Sequence, residues 1–192
     1  MASAGLVSRM WRATKLQSGL YEEVEADKGA TTQALIAVII VSVATGLGVG
    51  LGAFWVGGID SALMGLLIGG GTALVGWLLW ALFVYLIGVN ILKGKQTQSS
   101  WGEVLRTMGF ANSPGFFRIL AFIPVVGGLI AFIASIWSLI AAVIAVRAAL
   151  DFSTWRAVVT ALLGWLAYTA LVFVLSALFG GLPLFGSLTV FG

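Results

Sequence analysis

The sequence predicts an all-α fold, a polytopic transmembrane helical bundle of five spans with the N-terminus cytoplasmic and the C-terminus outside. Three observations carry that expectation. Four uncharged, apolar runs, 29–59, 61–92, 119–146 and 157–192, fill most of the 192 residues, and about 20 apolar residues already cross a bilayer. The composition is 60% hydrophobic and 9% charged, against roughly 25% charged in a soluble domain, which excludes a water-soluble fold. The lysines and arginines fall in alternate gaps between the expected spans, and such residues mark the cytoplasmic side. The runs do not alternate in polarity, so an outer-membrane barrel is excluded as well.

Residues 1–31 are expected to form a cytoplasmic N-terminal segment. Within it, 6–16 reads as an interfacial amphipathic helix, with Leu6, Val7, Met10 and Trp11 on one face and Arg12 and Lys15 on the other. Trp11, Arg12 and Lys15 are its expected anchors in the headgroup layer. A disordered basic leader is the alternative. The acidic run Glu22, Glu23, Glu25 and Asp27 reads as a solvated turn. The first apolar run starts too late and is too long for a cleaved secretory signal, so it is expected to remain as the first span.

The membrane domain is expected over 32–179, with spans near 33–56, 61–91, 102–123, 127–147 and 154–179. Gly46, Gly48, Gly50 and Gly52 in the first span and Gly65 and Gly69 in the second supply small-xxx-small pairs, which let helix backbones approach closely. They predict a glycine-lined contact between spans 1 and 2; a mobile helix weakened by glycine is the competing reading. The stretch from Gly48 also matches a loose dinucleotide fingerprint, which has meaning only in a solvent-open strand-to-helix turn and is dismissed inside a span. The third segment leaves two readings open. Either 102–123 is one span kinked at Asn112-Ser113-Pro114, or an interfacial helix leads into a shorter membrane-entering piece.

Charge counting favours the first reading. The N-terminus carries Arg9, Arg12, Lys15 and Lys28, the 2–3 connection Lys93, Lys95 and Arg106, and the 4–5 connection Arg147 and Arg156. Asp60 is the only charge in the 1–2 loop. Five spans therefore leave Arg118 as the one basic residue not on the cytoplasmic side, whereas four would export a basic cluster. Trp55, Trp101 and Trp155 fall at span ends, where aromatic anchors belong.

Trp101-Gly102-Glu103-Val104-Leu105-Arg106, followed by Gly109-Phe110-Ala111-Asn112-Ser113-Pro114 and a hydrophobic run, resembles the Yip family. Its glycine–aromatic pair followed by proline is matched by Gly109, Phe110 and Pro114. Trp137 and the link Asp151-Phe152-Ser153-Thr154-Trp155-Arg156-Ala157 are similar to prokaryotic members. The resemblance extends over about 5–180 in layout and implies a five-span membrane fold. Eukaryotic members associate with Rab GTPases and carry a long cytosolic N-terminal region. This chain has no proline before Pro114, so Rab binding is not carried over, and the short form resembles bacterial members.

The chain contains no cysteine and no histidine. Disulfides, thiolate or imidazole metal sites and Cys/His or Ser/His catalytic pairs are thereby excluded, and no catalytic, cofactor-binding or metal residue is assigned. The net charge of +3 reflects one membrane face and is no argument for nucleic acid. Glu103 and Arg106 are spaced to pair on one helical face. Arg118 is expected in the outer half of span 3, either snorkelling to the outer headgroups or forming a polar node with Asp60 or with carbonyls freed by Pro114. The tail 180–192 is apolar and reads either as an interaction strip or as a segment lying in the outer headgroup layer. The expected function is a non-enzymatic scaffold or accessory subunit in the cell (inner) membrane, touching lipids and other membrane proteins through the glycine-rich spans and the tail, with no cofactor. The alternatives are a small transporter or channel at Arg118 and Pro114, and a membrane-shaping protein acting through the N-terminal helix.

Overall fold

A computed structural model describes residues 5–94, 97 and 99–178. The chain forms α1 (Leu6–Thr14), α2 (Ser18–Ala26), α3 (Ala30–Leu86) with a π-helical turn at Ile87–Ile91, and α4 (Trp101–Ala111). A 3₁₀ segment (Ser113–Phe122), α5 (Gly127–Ala149) and α6 (Thr154–Leu178) complete it. The described residues are helical or irregular, with no strand among them. Three helices are long and apolar enough to cross a membrane: Ala30–Ile91, Gly127–Ala149 and Thr154–Leu175.

The first of these folds back on itself. Gly57 (φ −135°, ψ 15°) and Gly58 (φ 69°, ψ −157°) leave helical geometry inside α3, and Gly58 occupies a region that only glycine enters without strain. The second leg then runs antiparallel to the first: Gly50 faces Ala62 and Leu66, Gly46 faces Leu66 and Gly70, and Ser42 faces Gly70.

The third segment is not one kinked α-helix. After α4 it tightens into a ten-residue 3₁₀ helix, although such runs rarely exceed three or four residues. It climbs the first leg of α3 in step: Gly109 lies on Ala34, Gly115 on Val41, the Arg118 carbonyl on Gly48 and Phe122 against Gly52. From Ala34 to Gly52 the first leg rises about 27 Å at 1.5 Å per residue. The third segment makes that climb between Gly109 and Phe122 with fewer residues, because 3₁₀ geometry rises about 2 Å per residue. Pro114, which has no N–H to donate, sits at the start of the tightened stretch.

Two expectations for the N-terminal region are corrected. The acidic run is not a solvated turn: Glu22, Glu23 and Glu25 lie in α2 and Asp27 is its C-cap, because Leu20, Tyr21 and Val24 share one face and are fully buried. The hydrophobic face of α1 is divided, since Leu6 and Met10 pack on the core while Val7 and Trp11 are exposed. The core is built largely of small side chains, among them Ala34, Ala37, Ala141, Ala142, Ala145 and Ala149, around Met108 and Phe110. Large apolar side chains such as Leu67, Phe132, Ile133, Leu166 and Phe173 point outward. That inside-out size order is how helices pack in lipid, where close backbone approach replaces the hydrophobic drive. The expected tail, 180–192, and Lys95 lie outside the described residues.

Candidate functional site

At the basic end of the bundle the polar side chains are tied to one another. Arg9, 1% exposed, donates from Nε to Glu23 at 3.0 Å, from Nη1 to Gln33 Oε1 at 3.1 Å and from Nη2 to Asp27 at 2.7 Å. Arg12 donates from Nη1 to the other Glu23 oxygen at 2.5 Å and from Nε to Gln17 Oε1 at 3.2 Å. The Arg12 and Arg9 guanidiniums hold the Glu23 carboxyl below its usual range, and Arg9 does the same for Asp27. This knot joins α1, α2 and the start of α3. The sequence shows its members only as a charge count, because partners 5 to 24 residues apart follow no helical spacing.

Arg106 is spent differently from the sequence expectation. Instead of pairing with Glu103 it is buried and donates to the carbonyls of Val24 at 3.0 Å and Glu25 at 2.5 Å. These are last-turn carbonyls of α2, which have no partner within their own helix, at the end that favours a cation. Glu103 instead completes a capping box with Ser100 at the start of α4. Burial, then Asp151 and Glu103, push the Glu25 carboxyl up to about 7, against the pull of Arg106.

The glycines sit at some of the closest approaches in the molecule. A Cβ on Gly46 would lie 2.5 Å from the Leu66 carbonyl oxygen, on Gly50 2.7 Å from that of Ala62, and on Gly65 2.9 Å from Gly50 Cα. Gly69 meets Val49 at 3.0 Å, Gly48 takes the backbone of Arg118, and Gly52 is in ordinary contact with Phe122. These faces are filled by the chain itself. The expected glycine-lined contact between spans 1 and 2 is thus present between the two legs of α3, and a face already packed backbone to backbone has no room for another helix.

Gly109, Phe110 and Pro114 occupy the junction of α4 and the 3₁₀ segment. A Cβ on Gly109 would stand 2.9 Å from Ala34 Cβ, Phe110 is fully buried in the core, and Pro114 is buried where the helix tightens. Nearby, Phe117 stacks on Trp137 with centroids 5.7 Å apart, and Trp80 donates to the Ala161 carbonyl at 3.2 Å.

Arg118 has a different environment. Its Nη2 donates to Ser135 Oγ on α5 at 3.3 Å, and that hydroxyl itself donates to the Ala131 carbonyl at 2.8 Å. No carboxylate pairs with it among the described residues, where the ion pairs are those of Arg9 and Arg12. The Tyr168 phenol of α6 is another polar side chain in its vicinity. The side chain folds back over Gly115, whose Cβ would lie 2.9 Å from Nη1. Helical side chains lean toward the N-terminal end, so the guanidinium is carried toward the middle of the bundle rather than to its near end. This is not a snorkelling posture. Among the described residues neither Asp60 nor a carbonyl freed by Pro114 accepts from it; Ser135 does.

Two apolar grooves mark the surface. One, of about 420 Å³, opens where the legs of α3 diverge and is lined by Thr31, Leu35, Leu74, Trp77, Leu105 and Arg106. The other, of about 250 Å³, lies along Ile39, Val43, Leu47, Phe116 and Ile119. Their walls suit hydrocarbon rather than a polar substrate, and neither is lined by Arg118. Trp11 is exposed with Lys15 Nζ 5.1 Å above its ring, while Arg12 is held in the knot.

A family model described as the Yip1 domain matches residues 18–176. No curated protein and no solved structure is significantly similar to the chain.

Proposed function

The chain belongs to the Yip1 domain family, and on that basis we propose that it is a non-enzymatic scaffold or accessory subunit of a larger membrane complex. The observation that carries this reading is how its polar groups are used. Arg9, Arg12, Glu23, Asp27, Gln33 and Arg106 are engaged with one another or with backbone carbonyls, so they serve the fold rather than a reaction. What the bundle turns outward is apolar helix surface on α3, α5 and α6.

In this reading the two legs of α3, the α4–3₁₀ segment, α5 and α6 make five crossings. The knot and the basic links face the cytoplasm of the cell (inner) membrane, in accord with the positive-inside bias. Lipid is the surrounding partner, and the hetero-partner docks on the outward helix faces. The transporter reading is disfavoured because the Arg118 backbone closes directly on Gly48, which seals the third segment against the first leg at that level. A membrane-shaping role keeps one observation in its favour, the exposed Val7 and Trp11 on α1.

The test is purification of the untagged protein from its native membrane in a mild detergent, with co-migrating polypeptides identified and counted. A reproducible stoichiometric companion is the expected result. A lone, monodisperse protein would overturn the accessory-subunit reading.

A further inference from the structure

Among the described residues, one charge at membrane depth, Arg118, has no counter-charge. Arg118 has five N–H donors, and the described residues supply one neutral acceptor, Ser135 Oγ at 3.3 Å. A cation in hydrocarbon is tolerated when paired, and an intramembrane ionisable residue is by default a site whose partner must be found. Ser135 lies eight residues into α5, about 12 Å from that helix end at 1.5 Å per residue. Ser135 is exposed and Arg118 partly buried, beside the outward side chains Phe132, Ile133 and Ile136. Through Ser135 the pair is reachable from the lipid side.

We propose that the Arg118–Ser135 pair is a docking point for a transmembrane helix of a different protein, one that presents an aspartate or glutamate at that depth. The proposal rests on the accessory-subunit reading and names the chemistry of its contact. Two features favour a helix-borne carboxylate over a lipid phosphate. The guanidinium leans toward the middle of the bundle, over Gly115, away from the headgroup layer at the nearer end. At about 12 Å from that end, a phosphate would have to sink well into hydrocarbon, whereas a side chain on a crossing helix is already there. A second copy of this chain does not fit. Its side-chain carboxylates are Glu22, Glu23, Glu25, Asp27, Asp60, Glu103 and Asp151, of which Asp60 stands at the α3 hairpin tip and the others at the basic end.

The experiment replaces Phe132, an outward side chain one turn from Ser135 on the same helix, with the photo-reactive residue benzoylphenylalanine in the full chain, irradiates native membranes and maps the cross-linked peptides. Adducts within about one helical turn of an acidic residue in another protein's transmembrane helix are expected. Arg118→Glu should then lower recovery of that protein about tenfold, and changing the mapped acid to lysine should restore it. Arg118→Gln, checked for monodispersity, separates loss of the contact from loss of the fold. Adducts only to phospholipid, or to residues 179–192 of this chain, overturn the proposal. So does a companion whose recovery is unchanged in Arg118→Glu, and in that case the accessory-subunit reading survives. Absence of any companion overturns both.

Discussion

Arg9 and Arg118 are both largely withdrawn from water, and the chain treats them in opposite ways. Arg9 is enclosed by Glu23, Asp27 and Gln33 from two neighbouring helices. Arg118 meets a single hydroxyl whose proton is already committed elsewhere. In the first region the charge is compensated within the chain, so its ionic groups determine how α1 and α2 seat against α3. In the second, no counter-charge stands beside the guanidinium among the described residues. A charge that stabilises the monomer and a charge that selects a partner are told apart by whether the counter-charge is already in place.

The largest effect should come from the packing that supports both regions. Gly46→Val places a branched side chain where even a Cβ would stand 2.5 Å from the Leu66 carbonyl. The hairpin should lose about 3 kcal/mol or more, read as loss of the monodisperse peak on size exclusion. Gly71→Ala, with nothing within 4 Å, is the matched change that should leave that peak intact.

Next comes the compensated charge. Arg9→Ala strips Glu23, Asp27 and Gln33 of a shared donor and should destabilise by about 2 kcal/mol, seen as a lower Tm in detergent. Arg118→Gln should not lower the Tm of the isolated protein. If Arg118→Gln destabilised as strongly as Arg9→Ala, the contrast between the two arginines would collapse.

The third prediction is a pH dependence. The Glu25 carboxyl sits at about 7 in the folded protein, against an ordinary value near 4.3 unfolded. Between those values the folded state binds the extra proton, so this group's contribution to stability declines as pH rises through that window and levels off above it. Glu25→Gln should therefore raise Tm at pH 8 and change it little at pH 4.5. Glu23 and Asp27 act in the opposite sense, since their lowered values give stability that is lost as pH falls through them. The smallest effect belongs to Trp11→Ser, at an exposed site. It should change stability by less than about 0.5 kcal/mol. In anionic vesicles it should loosen α1 from the surface, measured as faster amide hydrogen exchange across that helix.

The length of an apolar run and the placement of lysine and arginine are set by the bilayer, so a helical membrane protein was legible here without tertiary information. The resemblance noted at Gly109, Phe110 and Pro114 pointed to the family whose model matches residues 18–176. What the linear chain did not display is the use made of each polar group. That α2 is a helix follows from burial of Leu20, Tyr21 and Val24 against the bundle, a gain available only once the bundle exists. Arg106 leaves a well-spaced Glu103 for the carbonyls of Val24 and Glu25, because a buried guanidinium takes the acceptors that tertiary packing brings beside it. The 3₁₀ climb of 113–122 follows from matching a segment to the pitch of its neighbour, and no local propensity encodes that match. Periodicity and composition report each residue's exchange with water or lipid, whereas pairings across more than 80 residues of chain are decided by which helices end up side by side.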